Sequence, residues 1–340
     1  MRKADHMKSL RQGALWGGFV GDALAMPVHW YYDRQAMHRD YGVITKYRGP
    51  VSPHPDSILW RSSYTPLNAK ADILHGQAAY WGQRGVHYHQ HLSPGDNTLN
   101  LQLVMLMLRS LKEQGGYDAD DYLERYRTFM LTPGSHQDTY VEECHRHFFT
   151  HYARGRKLRA CGSNDNHIGG LAAVPALMAV TSEPLEATLK NVRLHVSLTH
   201  THPDVLRAAD SLTRVLWHVL RGQELREGIE KHATEHFSAR RARTWIKRGD
   251  DEILGSVFST ACYIQEAFPA TLYLAWKYAH ELPHALISNT QLGGDNCHRG
   301  VVLGGLLGAS LGREAFPEKW LADLKLSPHL RQVSLPMACA

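Results

Sequence analysis

Apolar positions along this chain recur mostly at the spacing of amphipathic helices. The segments MKSLRQGALWGGFVGDALAM (7–26) and NTLNLQLVMLMLRSLKEQGG (97–116) show this period most clearly. The first ends against Pro27, and the second begins at a candidate Asn cap, Asn97, and stops at a pair of glycines. All three features are helix boundary signals. Convincing alternation of the strand type is scarce, so the pattern predicts an all-α protein.

Six further segments carry the helical period: 118–131, 141–153, 168–180, 203–222, 269–282 and 298–312. The last is rich in Gly and Ala, so we expect its helix to pack closely against a neighbour. Residues 41–70 form the longest irregular segment, and such loops often serve as lids or binding walls. With no Pro-, Gly- or Ser-rich linker and no repeat period, we predict a single compact multi-helix domain over residues 1–340.

The composition and charge of the chain limit the classes of function that it can have. The formal charge of +5, with 23 histidines, is scattered over 340 residues, so no nucleic-acid partner is expected. No segment reads as a signal sequence or approaches the roughly 20 apolar residues of a membrane helix. Five separated cysteines without a CxxC pair fit a reducing compartment, which predicts a cytoplasmic protein without a membrane partner: Cys144, Cys161, Cys262, Cys297 and Cys339.

Three similar acidic turns carry the candidate chemistry. They are GDALAMP (21–27), PGDNTLN (94–100) and GGDNCHRG (293–300), and each places an Asp directly after a Gly. One such turn is ordinarily explained as a helix cap. Three related turns instead favour carboxylates that converge from distant helix ends, where Gly permits close approach and Asp offers a hard oxygen for Mg²⁺ or Mn²⁺.

These segments, in this order, resemble the motifs of the ADP-ribosylglycohydrolase family. GALWGGFVGDALAMPVHW (13–30) is similar to its first motif, GDNTLNLQLVMLML (95–108) to its T-D-D-T motif, and GGDNCHRGVVLGGLLGASLG (293–312) to its G-G-D-T-D-T motif. SLTHTHPDVLRAADSL (197–212) is a weaker fourth match. NDNHIGGLAAVPAL (164–177) stands where the family has a Gly-rich loop with an Arg that this chain lacks. The resemblance covers about residues 8–312, the expected core, and implies the family fold.

The metal-ligand positions depart from the family pattern. The paired acids of the second motif become Asp96 and Asn97, while the third motif keeps Asp295 but has Cys297 and His298 where the family has Asp and Thr. His29 stands where the first motif has a Glu. The resemblance therefore implies a degenerate metal site, with Asp96 and Asp295 as candidate acidic ligands and Cys297 and His298 as candidate softer ligands.

Three interpretations of this altered site remain open. The family uses Mg²⁺ or Mn²⁺, but softer donors suit a single softer metal such as Zn²⁺, Fe²⁺ or Mn²⁺. Alternatively, a metal-free site uses His29 or His298 as acid or base, oriented by Asp96 or Asp295. In the third, the pocket has decayed and its polar groups only hydrogen-bond. A Cys–His dyad from Cys297 and His298 is not favoured, because adjacent helical residues point in different directions.

Other residues complete the candidate site. We predict catalytic roles for Asp96, Asp295, His29 and His298. Substrate contacts are predicted for five residues: Asp22, Asn97, Thr98, Trp30 and Asn296. Trp30 begins an aromatic cluster, WYY (30–32), that could stack on adenine, line a sugar pocket or pack in the core. The stretch HYHQH (87–91) is interpreted as an exposed loop or a wall of the pocket rather than a chelating site.

The implied function is cleavage of an N- or O-glycosidic bond to ribose, with small-molecule or protein-linked ADP-ribose conjugates as the leading substrates. The alternative is a catalytically altered or inactive protein that binds ADP-ribose or a related nucleotide. A third alternative, the same fold with another substrate, also stays open. No nucleophile elbow or Walker-type phosphate loop occurs in the sequence.

Overall fold

The computed structural model describes residues 3–336, and these fold almost entirely into helices joined by turns and irregular segments. The α-helices are α1 (Lys3–Ala25), α2 (Arg34–Tyr41), α3 (Leu99–Gln114), α4 (Ala119–Leu131), α5 (Glu143–Ala153), α6 (Val174–Val180), α7 (Leu185–Ser197), α8 (Pro203–Val219), α9 (Leu225–His232), α10 (Ala239–Trp245), α11 (Asp250–Ser256), α12 (Ile264–Lys277), α13 (Leu282–Gln291), α14 (Asn296–Leu311), α15 (Glu318–Asp323) and α16 (Ser327–Leu330). Short 3-10 helices cover Met26–Val28, Leu59–Arg61, Ala69–Ala71, His75–Tyr80, Leu158–Ala160, Ile168–Leu171 and Arg313–Ala315. Between described residues, strand pairing outside the helices is limited to three isolated bridges. The prediction of an all-α protein is confirmed.

Most predicted helix boundaries lie close to the observed ones, but the helix predicted over 269–282 is displaced from α12, which covers Ile264–Lys277. The cap assigned to Asn97 is wrong, because α3 begins after Thr98 and the Asn97 amide instead donates to the Phe19 carbonyl and the Asp22 carboxylate. The predicted helix over 168–180 is divided into the 3-10 helix Ile168–Leu171 and α6. At the other end of α3, Gly115 adopts a positive φ of 71° and stops the helix as predicted.

Helices α1 and α14 lie against each other with their backbones in contact. A Cβ atom on Gly17 would lie 1.9 Å from the Gly304 carbonyl oxygen, and one on Gly304 would lie 2.0 Å from the Gly17 oxygen. Gly13 faces Gly308 and Gly21 faces Gly300 in the same way, so the two helices run antiparallel. The close packing expected of the Gly-rich helix is therefore present, and it brings the end of α1 beside the start of α14.

Helix α14 forms the centre of the molecule. It is buried from Asn296 to Ala309 and packs against α6, α8, α12 and α13 as well as α1. The long irregular region between α2 and α3 lies over the turn that follows α1. His54 Nε2 lies 3.1 Å from the His29 carbonyl oxygen, and His87 Nε2 lies 2.9 Å from the Pro27 carbonyl oxygen. Helix packing and this covering segment together enclose the turn that carries His29.

Among the described helices, none combines the length and apolar character that crossing a membrane would require. The four cysteines within residues 3–336 are free thiols, while Cys339 lies outside the described residues. Cys144, Cys161 and Cys297 are buried, and Cys262 is partly buried. The absence of disulfides among these four agrees with the interpretation of the cysteine spacing.

Candidate functional site

Two turns meet where α1 ends and α14 begins. Gly293 and Gly294 have φ angles of 63° and 61°, and a Cβ on Gly294 would lie 2.1 Å from the Thr260 carbonyl oxygen. Both the conformation and the lack of space require glycine there. The Trp30 amide donates to the Gly294 oxygen at 2.7 Å, and the Gly294 amide donates to the Tyr31 oxygen at 2.6 Å. This backbone pairing places His29 beside Asp295.

Asp295 is the centre of a buried cluster. Its Oδ1 atom lies 3.0 Å from His29 Nε2 and 2.7 Å from His298 Nδ1, and all three side chains are almost completely buried. The other oxygen, Oδ2, is buried without a hydrogen-bond partner. One ligand atom from each of the three residues lies within 4.8 Å of the others. The cluster could therefore hold one divalent cation, and Oδ2 is an acceptor available to a cation or a substrate.

On one side the cluster continues to Glu142, the residue just before α5. His298 Nε2 lies 3.2 Å from Glu142 Oε1. The Asn100 amide nitrogen, from the first turn of α3, contacts both Glu142 Oε1 and His298 Nε2. The Glu142 side chain is 16% exposed, whereas those of Asp295 and His298 are 0% and 1% exposed. Glu142 is thus the carboxylate of the cluster that reaches solvent.

On the other side the contacts continue to His89 and Asp138. His29 Nδ1 lies 2.8 Å from His89 Nε2, and His89 Nδ1 lies 2.6 Å from Asp138 Oδ1. Asp138 Oδ2 also accepts a hydrogen bond from the Leu99 amide at the start of α3. The result is a continuous series of side chains, here called the His–carboxylate chain: Asp138, His89, His29, Asp295, His298 and Glu142.

Charges of opposite sign alternate across three neighbouring members of the His–carboxylate chain: Asp295, His298 and Glu142. Burial works against ionisation of Glu142, yet the positive charge of His298 and its hydrogen bond lower the pKa of Glu142 to about 2. The pKa of Asp295 is also held well below its usual value, because His298 and His29 outweigh its burial. Burial likewise opposes the charge on His298, but Asp295 and Glu142 raise its pKa well above 6.5. Burial lowers the pKa of His29 to about 4, so His29 is neutral beside a charged His298.

Asp96, predicted as a catalytic residue and metal ligand, lies outside the His–carboxylate chain in this structure. Its carboxylate accepts a hydrogen bond from the Ser93 amide at 2.8 Å, inside its own turn. The preceding Gly95 packs against the Asp323 carbonyl, and its own carbonyl accepts from the Lys325 amide. The Asp96 side chain therefore stabilises a local turn that faces the C-terminal segment. Any Asp next to free backbone amides can form such a local hydrogen bond.

Three of the residues predicted to contact substrate bind one another. The buried Asp22 carboxylate accepts from the Asn97 amide at 2.8 Å, the Thr98 backbone amide at 2.9 Å and the Thr98 hydroxyl at 2.7 Å. Burial raises the pKa of Asp22 despite these donors. Asp22 thus fixes the turn before α3, as a helix-end carboxylate does, and Asn97 Oδ1 remains buried without a partner.

Cys297 and Asn296 point away from Asp295. The Cys297 thiol lies 3.6 Å from the Asp22 carbonyl oxygen and packs with Ala25, Met26 and Leu92. Burial raises the pKa of this thiol well above its usual value. The thiol, predicted as a softer metal ligand, is not part of the donor group formed by His29, Asp295 and His298. The Asn296 amide donates to the Thr290 and Val28 carbonyls at 3.1 and 3.3 Å, so it ties the turn to α13.

The aromatic residues after His29 have three different positions. Trp30, which has a positive φ of 60°, stacks on the His29 ring at 3.7 Å and meets Tyr140 edge-on at 5.2 Å. Tyr31 is completely buried in the core, while Tyr32 is 48% exposed. Of the three, Trp30 is the ring that lies directly against the His–carboxylate chain.

Sequence reasoning did not assign roles to Glu142, His89 or Asp138. Glu142 stands before a helix rich in His and Cys, and His89 lies within HYHQH, where His87 and His89 are buried but His91 is exposed. A sequence signal existed for His89, since a pocket wall was one interpretation of that stretch. No sequence signal marked Asp138.

A separate cavity of about 370 Å³ lies between α3, α6, α7 and residues 329–334. None of the six residues of the His–carboxylate chain lines it.

Comparisons with known proteins agree with the fold. The ADP-ribosyl-[dinitrogen reductase] glycohydrolase of Rhodospirillum rubrum is 23% identical over 260 residues, which cover 73% of this chain and 81% of the relative. A solved structure described as an ADP-ribosylglycohydrolase-related protein complex superposes with a TM-score of 0.65 at 21% identity and covers 97% of this chain and 96% of that one. The family model of ADP-ribosylglycohydrolase matches residues 5–338. The chain therefore belongs to the ADP-ribosylglycohydrolase family.

Proposed function

We propose that this protein hydrolyses the N- or O-glycosidic bond between the ribose of an ADP-ribose conjugate and its acceptor. The observation that carries the proposal is the His–carboxylate chain, which reaches solvent at Glu142 and passes beneath Trp30. Family membership and the activity in the name of the Rhodospirillum rubrum relative support the substrate class. Asp96 is not part of the proposed machinery, because its carboxylate is bound within its own turn.

In this proposal Glu142 acts directly on the attacking water. Its carboxylate accepts a proton from water as the water oxygen bonds to C1 of the ribose and the bond from C1 to the leaving group breaks. The proton then passes to the leaving group or to solvent. Glycoside cleavage proceeds through a transition state with positive charge on the sugar, so a carboxylate held in its ionised form also stabilises that charge.

His298 and Asp295 position Glu142. His298 Nε2 lies 3.2 Å from the Glu142 carboxylate, while Asp295 fixes the ring through Nδ1 at 2.7 Å. Because both ring nitrogens bind carboxylates, the imidazole cannot turn, and its positive charge keeps Glu142 ionised. Trp30 would line the pocket for the sugar or the base, a role that aromatic side chains serve by stacking.

The residues fit one divalent cation rather than a pair. His29, Asp295 and His298 would hold it, since their donor atoms lie within 4.8 Å of one another and Asp295 Oδ2 has no other partner. Two nitrogen donors and one carboxylate suit Mn²⁺, Fe²⁺ or Zn²⁺ better than Mg²⁺. The site lacks the second group of carboxylates that a pair of cations would need, because the Asp96 carboxylate is bound within its own turn.

When bound, such a cation would orient the ribose hydroxyls and lower the pKa of a coordinated water. A protonated imidazole cannot be a ligand, so a cation and a proton would compete for His298. The carboxylates on both sides of His298 favour the proton, so a cation that binds His298 must displace that proton.

The test measures ADP-ribose released from ADP-ribosyl-arginine and ADP-ribosyl-serine peptides, in EDTA and in Mn²⁺. We expect release from at least one peptide, and a loss of about 10²–10⁴-fold in kcat in the Glu142→Gln variant. Glu143→Gln is the matched control, because Glu143 is the next residue and its side chain is 50% exposed beside His147. Binding of ADP-ribose with no release from either peptide would contradict hydrolysis and support a binding protein instead.

A further inference from the structure

A second cluster of buried donor atoms lies near the His–carboxylate chain but shares no residue with it. Its members are Cys144 from the first turn of α5, Asp165 from the loop before the 3-10 helix Ile168–Leu171, and His200 from the residues just before α8. One ligand atom from each lies within 4.8 Å of the other two. All three residues are buried, with 2%, 8% and 4% of their surfaces exposed.

His200 has a ring nitrogen without a hydrogen-bond partner. Its Nδ1 lies 2.9 Å from the Thr199 hydroxyl, but Nε2 is buried with no partner. The Asp165 Oδ1 atom lies 3.7 Å from Nε2, which is too far for a hydrogen bond. Two donors on one tetrahedral zinc ion are separated by about 3.3–3.8 Å, given metal–ligand bonds of about 2.0–2.3 Å. The 3.7 Å between Asp165 Oδ1 and His200 Nε2 therefore fits two ligands of one metal ion.

The surrounding backbone holds these residues in place. The Ser163 amide donates to the Thr199 carbonyl at 3.0 Å, and the Thr201 amide donates to the Ser163 carbonyl at 2.8 Å. This pairing joins the loop that carries Asp165 to the segment that carries His200. Gly170 leaves room for the His200 ring, since a Cβ there would lie 2.9 Å from His200 Cγ. The donor atoms are therefore assembled without a bound ion.

Asp165 also has an outer partner of the kind that metal-binding carboxylates use. His167 Nδ1 lies 3.0 Å from Asp165 Oδ1, and the His167 backbone amide donates to the same atom at 2.9 Å. Hydrogen bonds of this kind orient a ligating carboxylate and support metal affinity. A thiol, an imidazole and a carboxylate together suit zinc or another borderline transition metal rather than Mg²⁺ or Ca²⁺.

We propose that Cys144, Asp165 and His200 form a mononuclear site for Zn²⁺ or a similar transition metal, separate from the proposed catalytic chain. On binding, the Cys144 thiol loses its proton to solvent, and the three protein ligands leave one position for water. The ion would tie together α5, the loop at 163–167 and the start of α8. It would thereby fix Gly169, whose position lies against His298 and Glu142.

Cobalt provides a test that does not depend on glycohydrolase activity. Co²⁺ would be added to the EDTA-treated full-length protein, and the thiolate-to-cobalt charge-transfer absorption recorded. Neither His29, Asp295 nor His298 offers sulfur, so a cation held there gives no such band. We expect one thiolate-bound Co²⁺ per protein molecule at saturation, and we expect the band to disappear when Zn²⁺ displaces the cobalt.

Substitutions assign the band to its cysteine. Cys144→Ser should abolish it, while Cys161→Ser is the matched control, since Cys161 is another buried thiol and bonds only to backbone carbonyls such as that of Lys157 at 3.3 Å. If Cys144→Ser does not fold, His167→Asn should still weaken Co²⁺ affinity by about 10–100-fold. A wild-type protein without a thiolate band, or a band that survives in Cys144→Ser, would overturn the proposal.

Discussion

His298 Nδ1 lies 2.7 Å from Oδ1 of Asp295, the residue three positions earlier at the start of α14. Because this contact fixes the ring, the opposite nitrogen can point only toward Glu142, 3.2 Å away. His298 is thus an imidazolium held between two carboxylates. The contact gives the site a defined charge pattern.

The ionic contact between Glu142 and His298 predicts a pH-dependent stability. The pKa of Glu142 falls from 4.5 to about 2 on folding, so its contribution is complete above pH 4.5 and is lost as the pH falls through about 2. The pKa of His298 is raised above 6.5, so its contribution is complete below pH 6.5 and is lost as the pH rises through the folded value.

Glu142→Gln, in EDTA, should therefore lose the most unfolding free energy relative to wild type between about pH 4.5 and 6.5. Urea denaturation across the pH range measures this difference, which should shrink as the pH falls towards 2. Glu143→Gln should show no such window. A difference for Glu142→Gln that is constant from pH 2 to 6.5 would mean that the two groups do not interact.

The contact between α1 and α14 predicts a steric effect at Gly304. Gly304→Ala places a methyl group 2.0 Å from the Gly17 carbonyl oxygen, so the helices must separate. We expect a loss of about 1–3 kcal/mol in unfolding free energy, as for overpacked cores. Gly116→Ala, where a Cβ meets nothing within 4 Å, should stay within about 0.5 kcal/mol of wild type. Equal stability of the two variants would disprove the close backbone packing.

We expect the hydroxyl of Thr98 to contribute primarily to the free energy of unfolding and only secondarily to substrate binding. Thr98→Val removes a donor to the buried Asp22 carboxylate, which should cost about 1–3 kcal/mol of unfolding free energy. Thr98→Ser keeps the hydroxyl and should recover most of that loss. Both values come from denaturation without ligand. An unchanged stability in Thr98→Val would return Thr98 to the candidate substrate contacts.

We expect substitution of Cys297 to leave metal binding unchanged. Its thiol faces the Asp22 carbonyl and an apolar cluster, so Cys297→Ala should leave the Mn²⁺ affinity measured by calorimetry unchanged. Asp295→Asn removes the carboxylate that joins His29 to His298 and should abolish that binding. Weaker Mn²⁺ binding in Cys297→Ala would show that the thiol turns toward the cluster when a cation is present.

Trp30 is expected to contribute to substrate binding through its indole ring. Trp30→Ala should raise KM for the ADP-ribosylated peptide, by about 1–3 kcal/mol of binding free energy if the ring stacks on a base. Trp60→Ala is a control, because Trp60 is 41% exposed and packs on Arg84 outside the His–carboxylate chain. An unchanged KM in Trp30→Ala would assign Trp30 to supporting His29 alone.

The sequence by itself determined the helical architecture and one half of the site. Helical periodicity and glycine content are local properties, so they predicted α1, α3 and α14 and the close approach of the Gly-rich helices. The same local pattern placed Asp295 and His298 one turn apart, and family resemblance added His29. These three residues do meet in the structure.

Only the tertiary structure decided the other half. Glu142 and Asp138 come from segments far from the three motifs, whereas His89 lies five residues before the turn at 94–100. The distances among these side chains depend on how the helices and the irregular region pack. The direction of Asp96 also could not be read from its motif, because the Ser93 amide in its own turn competes for the carboxylate. Residue type and local spacing set which elements form, whereas packing over long sequence separations sets which side chains meet.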